Sequence, residues 1–149
     1  MKESLSIWKK VYLQDLDYVA REMREMMKTP CLALLEGTLG AGKTTLLQSF
    51  FPTIAVLSPS YSLLNEMGEI VHGDFYRIEN EEELTHLEIP LYLDKKDYFF
   101  VEWGKKFFPL LKKYVDSDWF IYQIDVGING DSKIKGTSRN YTLFHLTDS

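Results

Sequence analysis

Cys31-Leu-Ala-Leu-Leu-Glu-Gly37-Thr-Leu-Gly-Ala-Gly42-Lys43-Thr44 is the stretch on which the fold turns. Its first five residues form a continuous apolar run, as expected of a central strand covered on both faces. A glycine-rich turn follows, and a helix is predicted from there to about Pro52. Residues 37–44 satisfy the pattern G-x-x-x-x-G-K-[ST] in full, between strand and helix, where its mechanism works. At ordinary residue usage that pattern arises by chance in roughly half a percent of chains this long. The match and its context together point to phosphate binding.

The chemistry explains the residue types. Desolvating a polyphosphate requires several donors at once, and consecutive backbone N–H groups supply them without side-chain bulk where glycine lets the chain curl. The loop and the helix start make Gly37, Thr38, Leu39, Gly40, Ala41, Gly42, Lys43, Thr44 and Thr45 the candidate nucleotide-binding residues. Lys43 is placed to reach the β- and γ-phosphates, the helix N-terminus adds its positive end, and the Thr44 hydroxyl is a Mg²⁺ ligand.

Mg²⁺ bound with phosphates keeps several waters, which carboxylates hold in place. Two acids end or interrupt apolar strands downstream: Asp74 in Val71-His-Gly-Asp-Phe-Tyr-Arg77 and Glu102 in Phe99-Phe-Val-Glu-Trp103. Glu102 has the better Walker-B shape, because ligands of open α/β sheets sit at the carboxyl ends of strands. Lys43, Glu102 and Asp74 are therefore the candidate catalytic residues, and Thr44, Asp74 and Glu102 the candidate metal residues. His72 has no second His or Cys at ligand spacing and reads as structural. Ser60, in Ser58-Pro-Ser60, lies in an expected loop after the helix, where a hydroxyl can sense a γ-phosphate as switch loops do. Arg77 is open to pairing with Asp74 or with a partner's phosphate.

Around this centre the chain reads as strand 4–13, then a helix from Asp15 whose Leu16, Val19, Ala20, Met23, Met26 and Met27 follow helical spacing. Thr29-Pro30 ends that helix. Extended segments near 60–66 and 70–77 flank Met67-Gly68-Glu69 as a hairpin. Asn80 and Glu83 form a capping box in which Glu83 is expected to reach back to the Asn80 amide. Residues 97–102 read as a strand, followed by a short helix limited by Pro109 and carrying Lys105, Lys106, Lys112 and Lys113 on a solvated face. Late strands near 119–126 and 139–146 complete the pattern. Strand and helix alternate early and strands predominate late. The expected fold is α/β, a P-loop NTPase-like mixed sheet with a parallel centre, antiparallel additions and flanking helices.

The 149 residues suit a single domain over 1–149, and 45% hydrophobic with 26% charged residues excludes a disordered or fibrous chain. A net charge of −5 argues against DNA or RNA held by a global field. Cys31 has no partner cysteine and reads as a small core residue. No apolar stretch approaches the roughly eighteen residues of a membrane span, and a cytoplasmic location is expected.

Leu-Glu-Gly-Thr-Leu-Gly-Ala-Gly-Lys-Thr-Thr, Ser58-Pro-Ser-Tyr-Ser-Leu, His72-Gly-Asp-Phe-Tyr-Arg77 and Val101-Glu-Trp103 occur in the order seen in the bacterial tRNA threonylcarbamoyladenosine biosynthesis ATPase family, TsaE (YjeE), which the chain resembles over residues 31–104. The resemblance implies an ATPase, with ATP and Mg²⁺ as cofactors. It implies action with TsaB and TsaD in threonylcarbamoyladenosine (t6A) modification of tRNA, which is met through that complex. It also implies that Ser60 belongs to a switch loop, that Asp74 and Glu102 serve the metal and water, and that Trp103 lies near the nucleotide. This chain has Thr38 where the family pattern has Asp, Ser60 where it has Thr, and Gly73 where it has a larger residue, which is expected to loosen packing. Phe75, Tyr76, Phe107 and Phe108 are candidate apolar anchors for a partner, and the four lysines a candidate aid to tRNA. Two rival functions share the loop. A small-molecule kinase needs an arginine-bearing lid, and the four arginines at 21, 24, 77 and 139 form no cluster in sequence. A regulatory module would bind nucleotide with little turnover. No Asn/Thr-Lys-x-Asp guanine reader follows a strand, which favours ATP over GTP.

Overall fold

The apolar run at Cys31 is strand β2 (Cys31–Glu36), and every residue from Cys31 to Leu35 is buried. In the computed structural model, which describes residues 1–38, 40–54, 56, 63–130 and 137–147, this strand is the middle of a seven-stranded sheet. The other strands are β1 (Lys2–Val11), β3 (Leu64–Met67), β4 (Ile70–Asp74), β5 (Tyr98–Glu102), β6 (Phe120–Ile128) and β7 (Arg139–Leu146). Their order is β1-β7-β6-β2-β5-β4-β3. The four central strands β4, β5, β2 and β6 are parallel. β3 adds antiparallel at one edge, and β7 then β1 at the other. The expected mixed sheet is therefore present.

Alternation along β2 sends side chains to two layers. Ala33 and Leu35 face α1 (Leu16–Met26) and α2 (Lys43–Phe50), where Val19, Met23, Leu46, Leu47 and Phe50 pack against Phe100, Ile124 and Leu143. Leu32 and Leu34 face the other layer with Phe99, Val101 and Phe107, beneath Leu84 of α3 (Glu81–Thr85) and Leu111 of α4 (Phe108–Tyr114). Cys31 is wholly buried, and burial pushes its thiol up to about 12, as expected of a packing residue. No described helix is long and apolar enough to cross a membrane.

Several local expectations change. The first strand runs two residues earlier, and a 3₁₀ turn at Leu13–Asp15 precedes α1. Met26 is 40% exposed because α1 ends there and Met27 turns extended to take the buried place. The hairpin turns at Gly68-Glu69, with Gly68 at φ 59°. Asn80 caps α3 by accepting from the Glu83 amide at 2.9 Å, but the Glu83 carboxylate accepts from the amide of Glu79. Pro109 stands in the first turn of α4, where its missing N–H has no helical acceptor to lose, so it begins that helix and does not limit it. Gly73 does not loosen the packing. A Cβ there would lie 2.9 Å from the Phe75 ring, which has turned back to fill that space.

Candidate nucleotide site

The turn between β2 and α2 needs its glycines individually. Gly40 and Gly42 adopt φ 79° and 100°, a left-handed backbone that side-chain-bearing residues enter at a cost of about 1 kcal/mol or more. Gly37 answers a different demand: a Cβ on it would stand 2.7 Å from the Val126 carbonyl oxygen, so glycine alone lets the loop lie against the end of β6. The Ala41 amide donates to the Thr38 carbonyl at 3.0 Å, closing the curl. Leu39 and Ser60, both predicted site residues, lie outside the described residues. Thr38, Gly40 and Thr45 are exposed at the loop and at the start of α2.

Strand register gathers the acids. Asp74 pairs with Glu102 across β4 and β5, and Glu102 with Leu35 across β5 and β2. Both carboxylates thereby reach the carboxyl edge of the sheet beside the loop, the position at which α/β sheets bind ligands. Glu102 is buried. Its Oε2 accepts from the Thr44 hydroxyl at 3.3 Å and lies 2.7 Å from His72 Nε2. The wholly buried His72 has no partner at Nδ1. A bare lone pair there costs less than an unpaired N–H, so the network assigns the proton to Nε2, donating to Glu102. His72 is thus structural in the sense expected: it holds the acid. Asp74 is less enclosed and accepts from the Tyr76 amide at 3.1 Å. Burial moves its pKa up, the Tyr76 hydrogen bond opposes this, and the charge of Glu102 adds to the rise.

Lys43 is 4% exposed. Its Nζ donates to the Gly37 carbonyl at 2.9 Å and lies 3.8 Å from the centre of the Trp103 ring. Burial lowers its pKa, against the favourable charges of Glu102, Glu36 and Asp74. Trp103 has φ 60°, a strained conformation for so bulky a residue, and its ring packs against Tyr76 at 5.0 Å between centroids. The residue expected near the nucleotide therefore covers the loop lysine. Arg77 is exposed and, among the described residues, makes no ion pair with Asp74. Of the four candidate anchors, Phe75 and Phe107 are core residues 6.4 Å apart, Phe108 is half-buried, and only Tyr76 is well exposed.

Two site residues escaped the sequence reading. Arg139, the first residue of β7, donates from Nε to the Ala41 carbonyl, and a Cβ on Gly42 would meet that same nitrogen at 3.0 Å. No local pattern marks it, because the contact spans 98 positions and ends on a main-chain oxygen. Glu36, just before the loop, carries a buried Oε1 without a partner. Burial raises its pKa against the charges of Lys105 and Lys43. Its signal was visible, an acid ending an apolar strand beside the glycines.

These residues fit a Mg²⁺-bound nucleoside triphosphate. Glycine at position 37 lets the loop lie against the end of β6, the space beside Gly40 is open, and a hydroxyl and two carboxylates stand beside the turn. Among the described residues no group of three or more His, Cys, Asp and Glu forms a metal cage.

The family model described as "Threonylcarbamoyl adenosine biosynthesis protein TsaE" matches residues 12–133. A Nostoc protein called tRNA threonylcarbamoyladenosine biosynthesis protein TsaE is 29% identical over 134 residues, covering 82% of this chain and 79% of its own. The Haemophilus influenzae protein of that name is 36% identical over 83 residues, 50% of this chain and 52% of its own. The crystal structure of YdiB from Bacillus subtilis superposes with a TM-score of 0.64 at 22% identity, over 99% of this chain and 88% of that one, and shares the fold.

Proposed function

This chain belongs to the TsaE family, and from that premise we propose that it is a cytoplasmic Mg²⁺-dependent ATPase supporting t6A modification of tRNA. In this reading it cycles a complex of TsaB and TsaD through ATP binding and hydrolysis, meets tRNA through that complex, and is not itself the transferase. One observation carries the ATPase reading: the Gly37–Thr44 loop, the Lys43 ammonium and the Thr44-Glu102-Asp74 group converge at the carboxyl ends of β2, β5 and β4.

Bound Mg²⁺ would supply charge that polarises phosphoryl oxygens and binds water. The chain's own residues set up the rest. Lys43 is a desolvated ammonium held by one carbonyl and an aromatic face, so an anion in the loop is a better partner than either. Glu102 is oriented by two donors on Oε2, and its carboxylate would help to hold the ion. Asp74 stands beside it as the second carboxylate. Trp103, whose ring packs against Tyr76, covers the Lys43 ammonium. The kinase alternative finds no lid: Arg24 is committed to the Phe50 carbonyl, Arg21 and Arg77 are exposed, and Arg139 alone reaches the loop among the described residues.

Calorimetry with ATP and Mg²⁺ tests the reading. Losing the ammonium removes one or two charge-assisted hydrogen bonds, so Lys43→Ala should weaken ATP binding about 100-fold. Wild-type affinity in a folded Lys43→Ala protein would refute it. Phosphate release measured alone and with TsaB and TsaD separates a stimulated ATPase from a binding module.

A further inference from the structure

Glu102 loses one of its donors in the state proposed above. Once the Thr44 hydroxyl serves the ion, its 3.3 Å bond to Oε2 is given up, and among the described residues His72 Nε2, at 2.7 Å, is the donor that remains. The wholly buried His72 stands opposite Phe100 across β4 and β5, two residues before the Asp74 and Glu102 pair and so on the same face. Across β3 and β4 it stands directly opposite Asn65. Residues so opposed in an antiparallel pair send their side chains to one face, with Cβ atoms about 5 Å apart. Among the described residues three buried side-chain atoms lack a hydrogen-bond partner, and two of them, Asn65 Nδ2 and His72 Nδ1, belong to this one pair. They are complementary, since an amide nitrogen donates and an unprotonated ring nitrogen accepts. We propose that Asn65 and His72 form a positioning relay that holds the Glu102 carboxylate for hydrolysis: Asn65 Nδ2 donates to His72 Nδ1, directly or through one water, and His72 Nε2 donates to Glu102 Oε2.

The two contacts work in series. A buried N–H without a partner is costly, so an amide donor beside a bare acceptor closes on it or on a water between them. That bond in turn fixes the tautomer, because an acceptor engaged at Nδ1 keeps the ring proton on Nε2, where the Glu102 carboxylate takes it up. It also opposes a turn of the imidazole that would present a lone pair to the acid. Both residues act through Glu102, so their loss belongs to the chemical step and not to ATP affinity. Outer hydrogen-bond partners of a carboxylate at a metal site typically cost about 10- to 100-fold in activity when removed.

The inference rests on the reading of the chain as an ATPase in which Glu102 serves hydrolysis, and one arm of its test needs no turnover. In nucleotide-free protein carrying ¹⁵N-labelled histidine, the His72 ring should hold its proton on Nε2 alone. Asn65→Leu should move the Nδ1 resonance toward that of an unbonded lone pair and slow turnover about threefold or more. In single-turnover phosphate release at saturating ATP, His72→Phe should be about 10- to 100-fold slower while its calorimetric Kd for ATP stays within about twofold of wild type. His72→Gln, whose amide keeps a donor for Glu102, should recover most of that loss, which a merely structural role would not predict. Adding His72→Phe to Glu102→Gln should slow turnover no further, since residues acting through one group are not additive. A proton on Nδ1, or an Nδ1 resonance indifferent to Asn65→Leu, overturns the relay. So does a folded His72→Phe protein with wild-type turnover. If His72→Phe does not fold, the ring resonances and the turnover of Asn65→Leu decide. A wild type that releases no phosphate, alone or with TsaB and TsaD, sinks the ATPase reading and the relay's purpose with it, whereas the other outcomes sink the relay alone.

Discussion

The glycine-rich loop after β2 stands between two unlike walls. On the β5 and β4 side lie groups under electrostatic tension: a desolvated Lys43, the buried Glu102 held by His72, and Asp74 with its pKa raised. On the β6 and β7 side there is close contact with the loop's main chain: Val126 against Gly37, and Arg139 on the Ala41 carbonyl over Gly42. The first wall offers groups whose charge a reacting phosphoryl can exploit, and the second offers rigidity. Lys43 belongs to binding as well, but loss of a carboxylate from the first wall should slow hydrolysis with binding intact, and damage to the second should weaken binding with the rate at saturation intact.

Glu102 gives the largest expected effect. Glu102→Gln keeps an oxygen for His72 and Thr44 but loses the charge, so the fold should survive while turnover at saturating ATP drops about 100-fold or more. Single-turnover phosphate release and calorimetric Kd read the two quantities separately. A variant that hydrolyses at the wild-type rate, or that loses affinity as fully as turnover, removes the distinction between the walls.

Arg139 tests the bracing wall. Its contact is a charge-assisted hydrogen bond to the loop, so Arg139→Ala should raise the Kd for ATP about tenfold. Turnover at saturation should stay within about twofold, because the reacting edge keeps its groups. Calorimetry and initial rates at saturating ATP check the pair of expectations. A large loss of turnover at saturation would move Arg139 to the chemical wall.

The walls also differ in how far sequence exposes them. The loop is contiguous, and Asp74 and Glu102 are acids at the ends of apolar strands, so periodicity and strand logic place them at one edge of the sheet. Arg139 is invisible to such logic because it meets a carbonyl, which carries no residue identity, far away in the chain. Gly73 misled for a related reason: whether a missing side chain leaves a gap depends on where the Phe75 ring turns. Phe75 and Phe107 have the composition of an interface and the location of a core, a distinction only packing makes. The parallel centre was legible from the alternation of strand and helix. The Ser60 loop falls outside the described residues.

Asp74→Asn carries the smallest expected effect and touches the tension in the first wall directly. Because burial raises the native pKa of Asp74, the folded chain binds more protons than the unfolded one between the ordinary aspartate value of about 3.9 and the raised value. Stability from this group is thus present below that window and lost as pH rises through it. Asparagine can still accept from the Tyr76 amide and has no charge to desolvate, so the Tm of the variant should gain on wild type as pH rises from about 4 and level off above the window. Glu36, shifted in the same direction, remains, so a weaker slope should persist in the variant. Loss of the Asp74 charge also removes one favourable partner of Lys43, which limits the gain. Calorimetric melting between pH 4 and 7 measures the difference, and a variant less stable than wild type at neutral pH would show that Asp74 is held for the fold. A gain would mean the carboxylate is kept at the sheet edge against the interest of stability, as a group awaiting a cation would be.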